Sequence, residues 1–389
     1  MVDRGSFNQA TDRSVVNRRR FLLASAGVGT VALAGCAGGG DGGGNEAGGE
    51  TDTAGDEGGG DEEMESGDGE DGTEMESGDG GSGARVTMLT SPPGTAGNSM
   101  GNVMMSLLTQ ETDLEGSASA GSGSIQNVVQ VMRGEANISR GVTSLLVKAF
   151  NSEEPVDVDT EYRPLQLFSH QILRLPLVVK AGSDYQYYSD LSGVQVARGP
   201  QPASFQPALG RALETMIDDH QAAYQSPGQM APALAAGNVG ASVIMDANGA
   251  MPSFAQEIAS RNDLRMLGIT EENRTALEER DDVSTATLPN EDWGDAVDEF
   301  VMESETFMPT VNYSMISSGA TDAETVYTFC NTVFQNRETL PDQFAGFAPW
   351  TEADWYPSLC VPEVPFHPGA AQFLRENDLW HDEFQEAEI

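Results

Sequence analysis

The chain has 389 residues and a formal net charge of −41, because 61 acidic residues outnumber 20 basic ones. Residues 84–389 alone carry a net charge of −28, and their 306 residues can bury the core of about two domains. A field this negative repels phosphate, so the composition excludes a protein that tracks the backbone of DNA or RNA.

The basic residues are unequal in kind. Lysine occurs only at Lys148 and Lys180, whereas arginine occurs eighteen times. Carboxylates without lysine keep a protein hydrated in concentrated salt, where screening suppresses their mutual repulsion. The composition therefore predicts a halophilic protein, and the charge describes the solvent rather than a basic partner.

The N-terminus has the pattern of an export signal. Arginines at 18–20 precede an apolar run over 21–34, which ends in Leu33-Ala34-Gly35-Cys36. The paired arginines indicate the twin-arginine route, and the run is shorter than the roughly 20 residues that span a membrane. The last four residues resemble a lipobox, which predicts that Cys36 becomes the first mature residue and carries lipid. The alternative is an uncleaved anchor, or a secreted protein whose Cys36 is incidental.

Residues 37–83 are dominated by Gly, Asp, Glu and Ser, and the segment EMESGDG at 63–69 recurs at 74–80. Such a stretch has too little apolar surface to fold. Its glycines make it flexible and its charge extends it. We therefore expect a disordered tether that holds the body, residues 84–389, away from the membrane.

Strand and helix patterns alternate along the body. Predicted strands cover Arg85–Thr90, Gly116–Ala120, Ala136–Val142, Leu173–Val179, Val194–Ala197, Ala241–Met245 and Leu264–Ile269. Helical spacing of apolar residues predicts helices over 98–108, 125–134, 205–218, 228–236, 252–260 and 325–334. Strand, glycine loop, helix and strand in succession are typical of an α/β fold with parallel strands.

Three loops place small polar residues at predicted helix starts. They are Gly94–Asn98, Gly121–Ser124 with Asn127, and Gly199–Ser204. Free N–H groups at a helix start attract anions, although a serine there is more often only a helix cap. Because ligands bind at the carboxyl ends of strands in open α/β sheets, the three loops together predict a small anion-binding cleft.

Signals for enzyme chemistry are few. No P-loop, GxSxG or HExxH motif occurs, and metal-ligand spacing is found at none of the histidines, which are His170, His220, His367 and His381. His367 follows a cysteine closely enough to suggest a Cys/His pair, but a histidine satisfied in a turn is favoured. We therefore expect no enzyme, no metal and no cofactor.

The cysteines and the tryptophans of the C-terminal region are interpreted as structural residues. Cys330 and Cys360 could form a disulfide in an exported protein, or could be two buried thiols. The aromatic residues Trp350, Trp355 and Tyr356 lie between prolines and are predicted to pack a surface loop rather than to form a ligand box.

Three segments of the body carry a resemblance to a known family. They are Gly121–Asn127 running on to Asn137, Asp190–Pro200 (DLSGVQVARGP), and Val364–Ala371 (VPFHPGAA) with Phe373 and Glu376. In this order they resemble the TAXI solute-binding proteins of tripartite ATP-independent periplasmic (TRAP) transporters. The HPGA element is the most specific of them, and the matches extend over about residues 86 to 380.

The resemblance implies a type II periplasmic-binding fold, in which two α/β lobes joined by hinge strands close on a solute. One lobe would comprise 84–178 with 311–389 and the other 179–310. Family ligands are small organic anions such as glutamate and 2-oxoglutarate, which the loaded protein delivers to TRAP membrane subunits driven by an ion gradient. This chain would act at the outer face of the cell membrane, anchored through Cys36.

The first loop departs from the family pattern, since Thr90–Gly101 reads TSPPGTAGNSMG where the family has TGGTGGTYYPxG. Positions are therefore carried over, but not the identity of the ligand. The expected ligand-binding residues are Gly94, Thr95, Asn98, Ser124, Asn127 and Ser204, with Ser124 and Asn127 capping the second loop. Arg174 or Arg198 would be the countercharge for a carboxylate, or else each would make an ordinary ion pair.

The leading hypothesis is thus an extracytoplasmic receptor that captures a small organic anion for a TRAP transporter. The alternatives are a binding protein of an ABC importer or a sensor, and an enzyme that reuses the two-lobe fold, since fold does not fix function.

Overall fold

The computed structural model describes residues 84–93, 95–121, 123–156, 158–201, 203–280 and 282–389. The predicted export signal, Cys36 and the tether lie outside the described residues, and so does Gly94. Within these ranges the structure contains no helix that is long and apolar enough to cross a membrane.

Strands and helices alternate through the first two thirds of the body, as the sequence predicts. The strands are β1 Arg85–Thr90, β2 Glu115–Ala120, β3 Ser139–Val142, β4 Pro164–Arg174, β5 Leu177–Lys180, β6 Gln195–Gly199, β7 Gln221–Tyr224, β8 Ala241–Val243, β9 Asp246–Ala247, β10 Leu264–Met266, β11 Ser284–Pro289, β12 Glu299–Phe300 and β13 Glu305–Ser318. The helices are α1 Ala96–Glu111, α2 Ser124–Met132, α3 Thr143–Phe150, α4 Gln206–Met216, α5 Pro227–Ala236, α6 Ser253–Arg261, α7 Glu271–Glu278, α8 Ala323–Gln335, α9 Leu340–Gln343 and α10 Pro368–Glu376.

A six-stranded sheet with the order β12-β10-β5-β8-β6-β7 forms the centre of one lobe. Its inner strands β5, β8 and β6 are largely buried, and their alternate side chains point to opposite faces of the sheet. Val196 packs into the cluster that contains Leu209 and Leu213 of α4. Its neighbour Ala197 packs into the cluster that contains Met230 of α5.

The other lobe is built on β13, a strand of 14 residues that pairs antiparallel with β4, β3 and β11. β1 and β2 form a parallel pair beside it, and Leu89 of β1 donates its N–H to the carbonyl of Ile138 at 2.9 Å. Phe307 of β13 packs in a hydrophobic cluster with α4, whereas Met315 packs in the cluster of α1 and α8. β13 therefore belongs to both cores, and the two-lobe α/β fold is confirmed.

The chain passes between the sheets a second time where β4 ends and β5 begins. The prediction of one strand over Leu173–Val179 is wrong, because Leu175 and Pro176 separate two strands of different sheets. Proline has no N–H to donate to a ladder, and Leu175 bonds instead to the carbonyl of Pro309 at 3.0 Å. Two short connections of this kind suit opening and closing about a hinge.

An aromatic cluster fills the core of the β13 lobe. Trp350 and Tyr356 are fully buried and Trp355 nearly so, which corrects the prediction that these residues pack a surface loop. The ring of Phe168 on β4 lies 5.5 Å from that of Trp350 and 5.4 Å from that of Tyr356. Sequence-distant partners of this kind make the short helical turns around residue 350 part of the core.

Candidate functional site

The end of β1 is the point where two of the predicted loops meet. Asn98 of α1 donates its side-chain amide to Oγ1 of Thr90 at 2.9 Å. Asn127 of α2 donates its amide to the backbone carbonyl of the same threonine at 3.0 Å. The first turns of α1 and α2 are thereby tied to one residue.

A buried arginine lies at this place. Arg140 is on β3, three residues before α3 begins, and the residue is 8% exposed. Nη1 donates to Oε1 of Gln171 at 2.8 Å and Nη2 donates to Oγ of Ser91, which follows Thr90. These two acceptors are neutral. None of the carboxylates that the structure describes forms a salt bridge with Arg140.

The guanidinium of Arg140 has two other close neighbours. Its Cζ lies 4.3 Å from the ring centroid of Tyr313 on β13, the geometry of a cation–π contact. The other is Gly97, where an ideal Cβ would come within 2.7 Å of Cζ and Nε. A glycine at the second residue of α1 thus lets the helix approach the arginine without displacing the guanidinium.

The electrostatics of the site favour an anion. Burial lowers the pKa of Arg140, and the nearby Tyr313 opposes that effect. Even so, an arginine stays protonated in proteins, so a full positive charge is buried without a countercharge among the described side chains. The starts of α1, α2 and α3 add the partial positive charge of their free N–H groups. Burying an uncompensated ion costs several kcal/mol, which a bound anion would offset.

Unpartnered polar atoms accompany the arginine. Nε2 of Gln171 and Oδ1 of Asn127 are buried and have no hydrogen-bond partner. His170, the neighbour of Gln171, has no partner at either ring nitrogen. Burial, together with the charge of Arg140, holds the pKa of His170 well below its usual value, so the imidazole is neutral. Natural cores rarely leave such groups unsatisfied, and those that remain often mark function.

The six-stranded lobe contributes its own loop to the site. Ser204, between β6 and α4, lies with Oγ 2.7 Å from the phenolic oxygen of Tyr313. Its neighbour Phe205 is partly buried and packs, like Ala96, against the hydrophobic cluster that contains Tyr313. One tyrosine therefore contacts both the arginine and the loop of the opposite lobe.

The predicted residues have different fates. Asn98, Asn127 and Ser204 come together around Thr90 and Tyr313 as described. Thr95 is the N-cap of α1: it accepts from the N–H of Asn98 at 3.3 Å and donates to the carbonyl of Pro92 at 2.7 Å. The expectation that Ser124 caps its loop is wrong, because Gly123 holds the N-cap position and Ser124 is the first helical residue.

Of the two arginines expected as countercharges, Arg174 is paired with a carboxylate and Arg198 is held by a backbone carbonyl. Arg174 forms an ion pair with Asp246 at 2.5 Å, which is the alternative that the sequence left open. Arg198 donates to the carbonyl of Gln206 at 2.8 Å, and the Gln206 amide returns a bond to the carbonyl of Arg198 at 2.7 Å. Sequence reasoning missed Arg140 itself. Its only signal was a basic residue inside a segment predicted to be a strand.

The remaining reactive groups are structural in this fold. Cys330 and Cys360 are free thiols, and burial raises the pKa of Cys360 to about 12. His367 caps α10 as a histidine satisfied in a turn: Nδ1 accepts from the N–H of Gly369 at 3.3 Å, and Nε2 lies 2.9 Å from the carbonyl of Thr321. The part of the chain that the structure describes has no cluster of three His, Cys, Asp or Glu side chains that could hold a metal.

Comparison with known proteins gives a family match. A model described as the NMT1-like family matches residues 93–377, which is most of the chain. None of the curated proteins compared with the chain matches it.

Solved structures similar to this chain include the periplasmic aliphatic sulphonate binding protein SsuA from Escherichia coli. That likeness has 14% identity and a TM-score of 0.41, and covers 79% of this chain and 95% of the other. An amino acid ABC transporter substrate-binding protein from Streptococcus pneumoniae, bound to L-arginine, is 13% identical with a TM-score of 0.39, covering 69% and 97%. At these values neither ligand is carried over to this chain.

Proposed function

We propose that this chain, which belongs to the NMT1-like family, is an extracytoplasmic solute-binding protein that captures a small organic anion between its two lobes. The observation that carries this proposal is Arg140, a buried cation with neutral hydrogen-bond partners at the start of three helices. A protein with a large excess of carboxylates could have paired that arginine with its own side chain. A site that leaves it unpaired is suited to a carboxylate from outside.

The proposed mechanism is closure of the lobes about the two hinge connections. The gap between α3 and α4, beside the site, has a volume of only about 10 Å³, which is smaller than the volume of an organic solute. A solute therefore enters when the lobes separate, meets Arg140 and the helix starts, and is enclosed when Ser204 reaches Tyr313. Binding energy that arises only in the closed form shifts the population toward it.

The finer parts of the proposal come from the sequence. The TAXI resemblance supports delivery of the solute to TRAP membrane subunits, and it places glutamate and 2-oxoglutarate among the candidate solutes. Export by the twin-arginine route and lipid on Cys36 would hold the protein at the outer face of the cell membrane, in a halophile. We retain 84–178 with 311–389, and 179–310, as the two lobes that move, and assign the protein no catalytic role.

A thermal-shift panel tests the binding function. The full chain in molar KCl would be melted with monocarboxylates, dicarboxylates, oxo-acids and amino acids. A ligand at one hundred times its dissociation constant stabilises the folded state by about 2.7 kcal/mol. A saturable shift that Arg140→Gln abolishes is the expected result. If no carboxylate shifts the midpoint, or if the variant responds like the wild type, the proposed site is wrong.

Transport energetics test the partner. Uptake of the solute by cells would be measured after collapse of the ion gradient and, separately, after depletion of ATP. A TRAP system predicts that uptake stops with the gradient. Uptake that depends on ATP while the gradient is irrelevant would instead identify an ABC importer. The thermal-shift test of solute binding does not depend on which transporter takes up the solute.

A further inference from the structure

The loops that surround Arg140 are uncharged. Residues 90–98 read TSPPGTAGN, 120–127 read AGSGSIQN and 199–205 read GPQPASF. In a chain with 61 acidic residues, three such segments without a single charge are a feature of the site rather than of the average composition. Their contacts with Thr90 and Tyr313 show that two of them and the end of the third adjoin the arginine.

The charged groups nearby have partners within the protein. Arg174 is taken by Asp246. Asp282, which lines the narrow gap between α3 and α4, is held by Arg280 at 2.8 Å and by Arg211 at 2.9 Å. The hydrogen bonds from Arg280 are the main reason that the pKa of Asp282 lies below its usual value. Among the described side chains that these bonds and the ring contact join to Thr90, Ser91 and Tyr313, Arg140 is the one charged group.

We propose that the solute carries a single negative charge and no ammonium group, that is, a small monocarboxylate with a neutral polar substituent. This inference rests on the proposed function, specifies the substrate class of the same site, and sets aside glutamate and 2-oxoglutarate, which the family resemblance had suggested. A second carboxylate would be buried without a cation, and an ammonium would be buried without a carboxylate; both are costly. A hydroxyl or carbonyl meets a better complement, since Nε2 of Gln171 is a free donor and Oδ1 of Asn127 a free acceptor.

The test compares acids that share a carbon skeleton. Isothermal titration calorimetry with the full chain would use L-lactate and pyruvate against L-alanine and malonate. A longer set would use 2-oxopentanoate against L-norvaline, 2-oxoglutarate and L-glutamate. In the set that fits the cleft, the monocarboxylate is expected to bind at least tenfold more tightly than its zwitterionic and dianionic counterparts. The preference should persist, at lower affinity, in Ser204→Ala, whose folded core is undisturbed.

The possible failures are distinct. If an amino acid or a dicarboxylate binds more tightly than its matched monocarboxylate, and Arg140→Gln abolishes that binding, the monoanion inference is overturned while the receptor function stands. If no member of either set binds the wild-type chain, both are overturned. A change of Arg140 to Lys retains the charge, so it should weaken all monocarboxylates together without reversing the order.

Discussion

Gly97 offers a direct test of how closely the site is built around its arginine. The change Gly97→Ala adds one methyl group that would lie 2.7 Å from Cζ of Arg140 and 2.8 Å from Oγ of Ser91. Ordinary contact begins at 3.4 Å, so the guanidinium must move by about 0.7 Å. Binding groups have to be held within about 0.5 Å of their productive positions. We expect the affinity for the bound carboxylate to fall by about tenfold or more, equivalent to 1.4 kcal/mol.

The effect of Gly97→Ala on stability is smaller. Replacing a helical glycine reduces the entropy of the unfolded chain, which stabilises by about 0.4–1 kcal/mol. Overpacking a filled site costs about 1–3 kcal/mol. The net loss in unfolding free energy is then about 1 kcal/mol, or a fall in Tm of about 2 °C for a chain of this size. Urea unfolding measures the first quantity and calorimetric titration the loss of affinity.

Gly228 provides the matched control. It is likewise the second residue of its helix, α5, but an added Cβ there would meet nothing within 4 Å. Gly228→Ala should leave the affinity unchanged and raise the unfolding free energy by about 0.4–1 kcal/mol. The reasoning is refuted if Gly97→Ala binds the carboxylate as tightly as Gly228→Ala does.

Three further changes address closure, the buried Asn248 and pH. Ser204→Ala and Tyr313→Phe each remove the 2.7 Å contact between the lobes. Titrations should show that each variant binds the carboxylate about 2- to 12-fold more weakly. The double variant should lose no more affinity than either single variant, because both changes remove the same contact. Asn248→Ala leaves the N–H of Ile172 and the carbonyl of Gly346 without the bonds that the asparagine makes to them. Urea unfolding should show a loss of about 2 kcal/mol or more, and a loss below about 1 kcal/mol would contradict this account of the asparagine. Because burial depresses the pKa of His170 and His367, the unfolded chain takes up protons first as pH falls below about 6.5. Below that pH, each histidine should lower the unfolding free energy by up to about 1.4 kcal/mol per pH unit. His170→Phe should reduce this dependence of unfolding free energy on pH. If the variant and the wild type show the same dependence, His170 is not a neutral buried imidazole.

Local signals were enough for much of the fold. The helical pattern over 325–334 became α8, which begins two residues earlier because Asp322 caps it, accepting from the N–H of Thr325 at 2.8 Å. The strand over Arg85–Thr90 has the predicted bounds, since the prolines that follow cannot continue a ladder. Elements of this kind depend on residues that are neighbours in sequence.

Errors arose where distant residues decide. A tryptophan between prolines gives no local sign of burial, yet Trp350 donates its indole N–H to the carbonyl of His170 at 3.0 Å, from 180 positions along the chain. The break at Pro176 separates two sheets, a division that an apolar run cannot reveal. Tertiary structure overrides local preference in both cases.

The site was predicted in outline but not in its central residue. Sequence reasoning found the loops because glycine, serine and asparagine at helix starts have a known chemistry. It assigned the positive charge to Arg174, in a predicted strand, or to Arg198, in a segment that resembles a family motif. Only the fold brings Ser91, Gln171 and Tyr313 around Arg140. Only the fold shows that Arg174 pairs with Asp246 and that Arg198 bonds to a backbone carbonyl.

The most direct test of the receptor assignment is a titration of the full chain and two arginine variants with the carboxylate that gives the largest thermal shift. Arg140→Gln removes the buried cation, whereas Arg261→Gln removes an exposed one that pairs with Glu257 at 2.8 Å on α6. Loss of a buried charged partner costs about 2–5 kcal/mol in binding, so Arg140→Gln should weaken the affinity by about 30-fold or more while Arg261→Gln leaves it unchanged. Equal affinities for wild type and Arg140→Gln, in a variant that melts cooperatively, would contradict the assignment of this arginine as the anion site.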